Sequence, residues 1–198
     1  MGGRRGRAAT ALLLAGLVAL VAAACGVAGP PPSPDAPCNG VDVDPTPGYY
    51  PALESLVPQA IASATPMVVN SGRSCSADTL GDLTQDGITD LHFAGAEFPA
   101  SDSTGVSLVI YTAPGLTASK LADAFTASAN ANSSTNQITT SAVTIAGRSG
   151  VRMQVNNNDV IQTIIFWPSG TPDSVDGVLA SGVDETQIQA AIAAFGSR

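Results

Sequence analysis

The stretch that decides the fold is "ITTSAVTIAGRSGVRMQVNNNDVIQTIIFW", Ile138–Trp167. Its first two thirds alternate apolar and polar residues with a period of two, the pattern of strands with two unlike faces. A turn at Gly147-Arg148-Ser149-Gly150 and an asparagine-rich turn at "NNND" divide it into three runs. Connections that short join only antiparallel neighbours, because a parallel crossover needs a dozen residues or more. The third run, "VIQTIIFW", is almost continuously apolar, as expected of a buried strand.

Upstream, "VSLVIYT" reads as another buried strand. Thr117 caps a helix, "TASKLADAFTASA", whose Ala118, Leu121, Ala122 and Phe125 share one side. Downstream, "SVDGVLASGV" adds a strand. The last helix has a capping-box pair, Asp184 and Gln187, an apolar face of Ile188, Ala191, Ile192 and Phe195, and a stop at Gly196. Before Gly105, "PALESLVPQAIASA" predicts a short helix with Leu53, Leu56 and Val57 on one face, ended by Pro58. "SADTLGDLTQDG" predicts a second short helix burying Leu80 and Leu83, with Gly87 closing it, and "ITDLHFAGAEF" a strand. The sum is an α+β domain: an antiparallel meandering sheet with helices packed on one face.

The chain has 198 residues, room for one such domain and its appendages. Charged residues make up 12%, about half the usual share. Three of the 8 basic residues, Arg4, Arg5 and Arg7, precede every acidic one. Without that segment 5 basic residues face 16 acidic ones, a net of −11. Such a body is repelled by phosphate backbones, so no nucleic acid is expected as a partner.

The N-terminus has a basic start, "MGGRRGR", an apolar run from Ala8 to Ala24, and then Cys25. This is the three-part pattern of an export signal. Ala22-Ala23-Ala24-Cys25 resembles the lipobox of bacterial lipoproteins, with Ala22 where that family usually has Leu. The resemblance implies a signal peptide at 1–24, a diacylglyceryl group on the Cys25 sulfur, and a chain anchored by that lipid to the extracytoplasmic face of the cell membrane. Two other readings stay open: ordinary secretory cleavage after the small residues, and a retained anchor 17 residues long, at the low end of what spans a bilayer. Residues 25–48 read as a proline-rich linker with 7 of the 14 prolines, and 49–198 as the folded domain. If Cys25 carries lipid, the other two cysteines, Cys38 and Cys75, remain as a disulfide pair. Over residues 52–195 the chain also resembles a group of uncharacterised exported bacterial proteins. The residues concerned are "LESLVPQAI", "DTLGDLTQDGITDLHFAGAEF", "GLTASKLADAF" and "VDETQIQAAIAAF". The strand order is similar to that of the PsbP-like fold, and neither resemblance carries a functional residue onto this chain.

Candidate chemistry is sparse. His92 is the single histidine, with Asp90 two positions away, and no serine sits in a nucleophile elbow. Asp82, Thr84, Asp86 and Asp90 with Gly87 follow the spacing of a calcium loop. Phe93, however, stands where the bidentate Glu belongs, so Asp82, Asp86 and Asp90 make a weak metal candidate. Zinc and copper lack ligands, and no cofactor is expected. Glu54, Glu97 and Glu185 are the only glutamates available to a carboxylate pair. Arg148 and Arg152 are candidates for an anionic ligand or for plain solvated strand charges. Trp167 is expected in the core. The expectation is therefore a lipid-anchored, non-enzymatic binding or interaction module, meeting an envelope protein, polymer or small molecule. The alternative is an extracytoplasmic hydrolase built from Asp, Ser and His residues.

Overall fold

The computed structural model describes residues 33–101, 103–132, 137–157 and 160–196. The export-signal segment and Cys25 lie outside the described residues. Among the described residues no helix is long and apolar enough to cross a membrane.

Eight strands form one sheet: β1 (Val43–Thr46), β2 (Val68–Ser74), β3 (Leu91–Ser101), β4 (Thr104–Thr112), β5 (Gln137–Ile145), β6 (Arg148–Asn157), β7 (Val160–Pro168) and β8 (Ser174–Ser181). Their spatial order is β1-β2-β3-β4-β8-β7-β6-β5, and every neighbouring pair is antiparallel. Two four-stranded meanders thus stand side by side, joined where β4 meets β8. The β5–β6 turn is two residues long rather than four. Ala146 and Gly147 both take positive φ (49° and 78°), and Ile145 pairs directly with Arg148. Positive φ at both central positions matches the right-handed strand twist, which sets this hairpin's register.

Among the described residues four helices accompany the sheet: α1 (Pro51–Glu54), α2 (Ala77–Leu80), α3 (Ala118–Asn132) and α4 (Glu185–Ala194), with a 3-10 turn at Gly81–Thr84 after α2. The caps read from sequence are present. The Thr117 hydroxyl accepts from the Lys120 N–H at 3.2 Å, and Asp184 and Gln187 form the reciprocal capping box. Leu80 and Leu83 are buried as expected. The first helix is shorter than expected, a single turn that leaves Leu56 exposed and only Val57 deeply buried.

The expectation of helices on one face needs correction. One apolar cluster joins Leu121, Ala122 and Phe125 of α3 with Val109, Tyr111, Met153 and Phe166. The other joins Ile188, Ala191 and Phe195 with Leu108, Ile110, Ile165 and Trp167. Adjacent residues on one strand point to opposite faces, so α3 and α4 cover opposite faces of the sheet. The physical reason is in the central strands: "VSLVIYT" and "TIIFW" are apolar at consecutive positions, and both sides of such a strand must be kept from water. The expected boundary at residue 49 also shifts. β1 lies inside the segment read as linker, with Val43 buried, and β2 was not read as a strand at all.

Candidate functional site

A cleft of about 420 Å³ opens on the α3 face, over the β1–β4 half of the sheet. That size falls within the range of small-molecule sites, roughly 300–1,000 Å³. Its floor follows from strand register. Ser74 pairs with Leu91, Gly72 with Phe93, and Asn70 with Gly95; across the next ladder Phe93 pairs with Tyr111, Gly95 with Val109, and Glu97 with Ser107. All of these residues therefore share one face. The roof is α3, through Leu121, Ala124, Phe125 and Ser128, and Leu80 and Leu83 close one end. The cleft is graded along the strands. Leu91, Phe93, Val109 and Tyr111 make the end nearest Leu80 apolar, whereas Asn70, Glu97 and Ser107 make the other end polar. From Leu91 to Glu97 the floor runs about 20 Å at the ordinary rise of a strand.

The remaining wall is a strap, residues 42–45 leading into and through β1. Three devices hold it. The first is the disulfide Cys38–Cys75, with Cα atoms 5.7 Å apart. The second is Asp42, whose Oδ1 accepts from the Cys75 N–H (2.6 Å), the Ser76 N–H (2.8 Å) and the Thr79 hydroxyl (2.9 Å), while Oδ2 accepts from the Ser76 hydroxyl (2.8 Å). Burial alone would raise the Asp42 carboxyl. The hydrogen bonds from Cys75, Ser76 and Thr79 outweigh it and hold the group below its ordinary value. The third is Gly72: a Cβ built there would lie 2.5 Å from the Val43 carbonyl oxygen and 2.7 Å from the Phe93 ring. Only glycine lets the strap come this close.

Charge around the cleft is one-sided. Asp42, Asp44, Asp78 and Glu97 line it, against a single cation, Arg73. The Arg73 guanidinium is itself committed. Arg73 pairs in register with His92, on the face opposite Phe93. There it is 2% exposed, its Nη1 donates to the Ala36 carbonyl at 2.7 Å, and its Nε lies 3.9 Å from Asp90 Oδ1 without a hydrogen bond of its own.

His92 belongs to this second cluster and does not line the cleft. Its Nε2 lies 3.1 Å from Asp90 Oδ1, and its ring stacks on Tyr50 with centroids 4.5 Å apart. Burial pushes the Tyr50 phenol up to about 12, with the nearby Arg73 charge working the other way. A Ser-His-Asp triad needs a hydroxyl on the histidine, and the groups that meet His92 are a carboxylate and a phenol ring. The buried hydroxyl of this region, Ser71, instead donates to Glu54 Oε1 at 2.8 Å and accepts from the Tyr50 N–H. Glu54 also accepts from the Gly48 N–H, so it pins the chain entering α1.

The calcium candidate is not assembled. Asp82 accepts from the Gln85 side chain within the 3-10 turn, and Asp90 is turned to Arg73 and His92. Among the described residues, the one set of three potential ligand atoms within 4.8 Å is Cys38, Cys75 and Asp90, where both sulfurs are spent in the disulfide. Arg152 makes a two-pronged ion pair with Glu185 (3.0 and 2.7 Å), and Trp167 is buried against Phe195. Glu97 is the one sequence candidate that the fold places in the cleft. The cleft itself had no readable signal, because its walls come from six separate segments. Comparison with protein families, curated proteins and solved structures finds no match to this chain.

Proposed function

We propose that this chain is a membrane-anchored extracytoplasmic lipoprotein, tethered through Cys25, whose α+β domain binds an amphiphilic small molecule in the α3 cleft. The observation that carries the reading is the grading of the cleft floor, from an apolar end under Phe125 to a polar end of Asn70, Glu97 and Ser107. An alkyl or isoprenoid chain lies at the apolar end, where each buried methylene contributes about 0.8 kcal/mol. The head group is neutral and hydroxylated, or cationic. A free carboxylate or phosphate at that end meets the Glu97 carboxylate and no uncommitted guanidinium. The reading needs no catalytic step from His92.

The test titrates the full chain with three dodecyl probes differing only in head group: dodecylglycerol, dodecyltrimethylammonium and dodecanoate. The first two bind and the third binds at least tenfold more weakly. Ala124→Phe, which fills the roof of the cleft from a half-buried position on α3, lowers affinity for both binders at least tenfold. Equal binding of all three probes, unchanged by Ala124→Phe, overturns the assignment.

A further inference from the structure

The two outer strands of the sheet are built in opposite ways. β1 has 4 residues, carries Asp44 and Pro45, and has an irregular register between Val43 and Thr46. Short length, charge, proline and a bulge are the devices by which an edge is kept from pairing with another chain. β5 has none of them. It runs 9 residues, Gln137–Ile145, with no charged residue and no proline, and pairs with β6 in unbroken register throughout. Thr139, Thr140, Ser141, Ala142 and Thr144 are exposed. The backbone groups of its outer edge have no strand beside them among the described residues.

We infer that β5 pairs edge to edge with β5 of a second copy of this chain, antiparallel about a two-fold axis at Ser141. Charge selects this occupant. Two copies with a formal net charge of −8 repel each other. The chain has no carboxylate between Asp123 and Asp159, and the charges it does carry there are Arg148 and Arg152. The β5–β6 hairpin is thus the part of an acidic body that a like body can approach. Arg152, opposite Ser141 in the ladder, is neutralised by Glu185.

The register is self-complementary. Centring on Ser141 uses all nine residues and sets Thr140 against Ala142, Thr139 against Val143, and Ile138 against Thr144 of the second copy. Odd-numbered residues meet odd-numbered ones, so each face of the sheet continues across the axis, as pairing in a twisted sheet requires. β-branched and small neutral residues face one another, and no charge is opposed. Roughly eight to ten backbone hydrogen bonds form along the pair. The cleft strands end at β4, four ladder spacings or about 19 Å from β5, so both clefts stay open in the dimer.

The experiment uses the full chain in native membranes. Ser141→Cys brings two like sulfurs together across the axis and gives a disulfide-linked homodimer under mild oxidation, in yield at least fivefold above Thr84→Cys, a control that is also exposed. Coexpressed Thr140→Cys and Ala142→Cys chains cross-link with each other more than either does with itself, which fixes the register. Thr140→Lys with Ala142→Lys, added to Ser141→Cys, opposes lysines at two positions and lowers the yield at least tenfold, while its melting temperature shows that the domain is folded. Equal yields from Ser141→Cys and Thr84→Cys overturn the inference. So does a Ser141→Cys adduct containing a different protein in place of the homodimer.

Discussion

Replacing Gly72 by alanine tests whether the strap is held as tightly as its geometry implies. The new Cβ would sit 2.5 Å from the Val43 carbonyl oxygen, where ordinary carbon–oxygen contacts begin near 3.3 Å. The strap must therefore retreat by about 0.8 Å, or the Phe93 ring at 2.7 Å must move with the sheet beneath it. β1 resists poorly, because only Val43↔Arg73 and Thr46↔Ser71 register it on β2. Undocking it exposes Val43, whose burial contributes about 1.5–3 kcal/mol. Alanine's lower unfolded-state entropy offsets about 0.4–1 kcal/mol of that. The net expectation is a loss of about 1–2 kcal/mol, or about 2–8 °C in melting temperature for a domain of this size. Urea unfolding followed by the buried Trp167 measures it, and hydrogen exchange at the Val43 and Thr46 amides locates it. A Gly72→Ala protein within about 0.5 kcal/mol of the parent, with β1 amides equally protected, refutes the reasoning.

The other strap contacts make separate predictions. The Asp42 carboxyl is held below its ordinary value, so its contribution is complete above the unfolded carboxylate pKa of about 3.9 and is lost as pH falls through the folded value. Exchange at the Cys75 and Ser76 amides, which donate to that carboxylate, should accelerate over that acid range in the parent. Asp42→Asn should remove the pH dependence and cost about 1–2 kcal/mol at pH 7, measured by urea unfolding. Breaking the Cys38–Cys75 bond by paired alanine substitution should cost about 3–4 kcal/mol in the chain-entropy account, for a separation of 37 residues. Dodecylglycerol affinity should fall with it, because the strap is a wall of the cleft.

The elements that were legible in the sequence were those with a local signal. The alternation of β5 and β6 carried their strand assignment, and the capping box at Asp184 and Gln187 fixed the start of α4. The cysteine pairing followed from counting, and the structure contains that disulfide. β2, "VVNSGRS", escaped because asparagine, serine and glycine dominate it and its two valines stand side by side. Its partners supply the missing signal: β3 is paired with it through seven positions, and tertiary pairing overrides weak propensity. β1 escaped because proline and aspartate, which mark linkers, are also what an edge strand tolerates. The placement of α3 and α4 on opposite faces was present in the consecutive apolar residues of β4 and β7, read there only as burial. For the site, only Glu97 was named in advance. The cleft is made by register, which brings Gly95, Val109 and Leu121 together from segments that carry no shared pattern.

The most direct test of the central claim is native mass spectrometry of the full chain, gently extracted from the cell fraction where the proposal places it, the membrane. The account predicts a non-covalent adduct of one neutral or cationic amphiphile per chain, present in the parent and absent in Ala124→Phe. A parent chain released bare, or an adduct of the same mass and occupancy in both proteins, contradicts it.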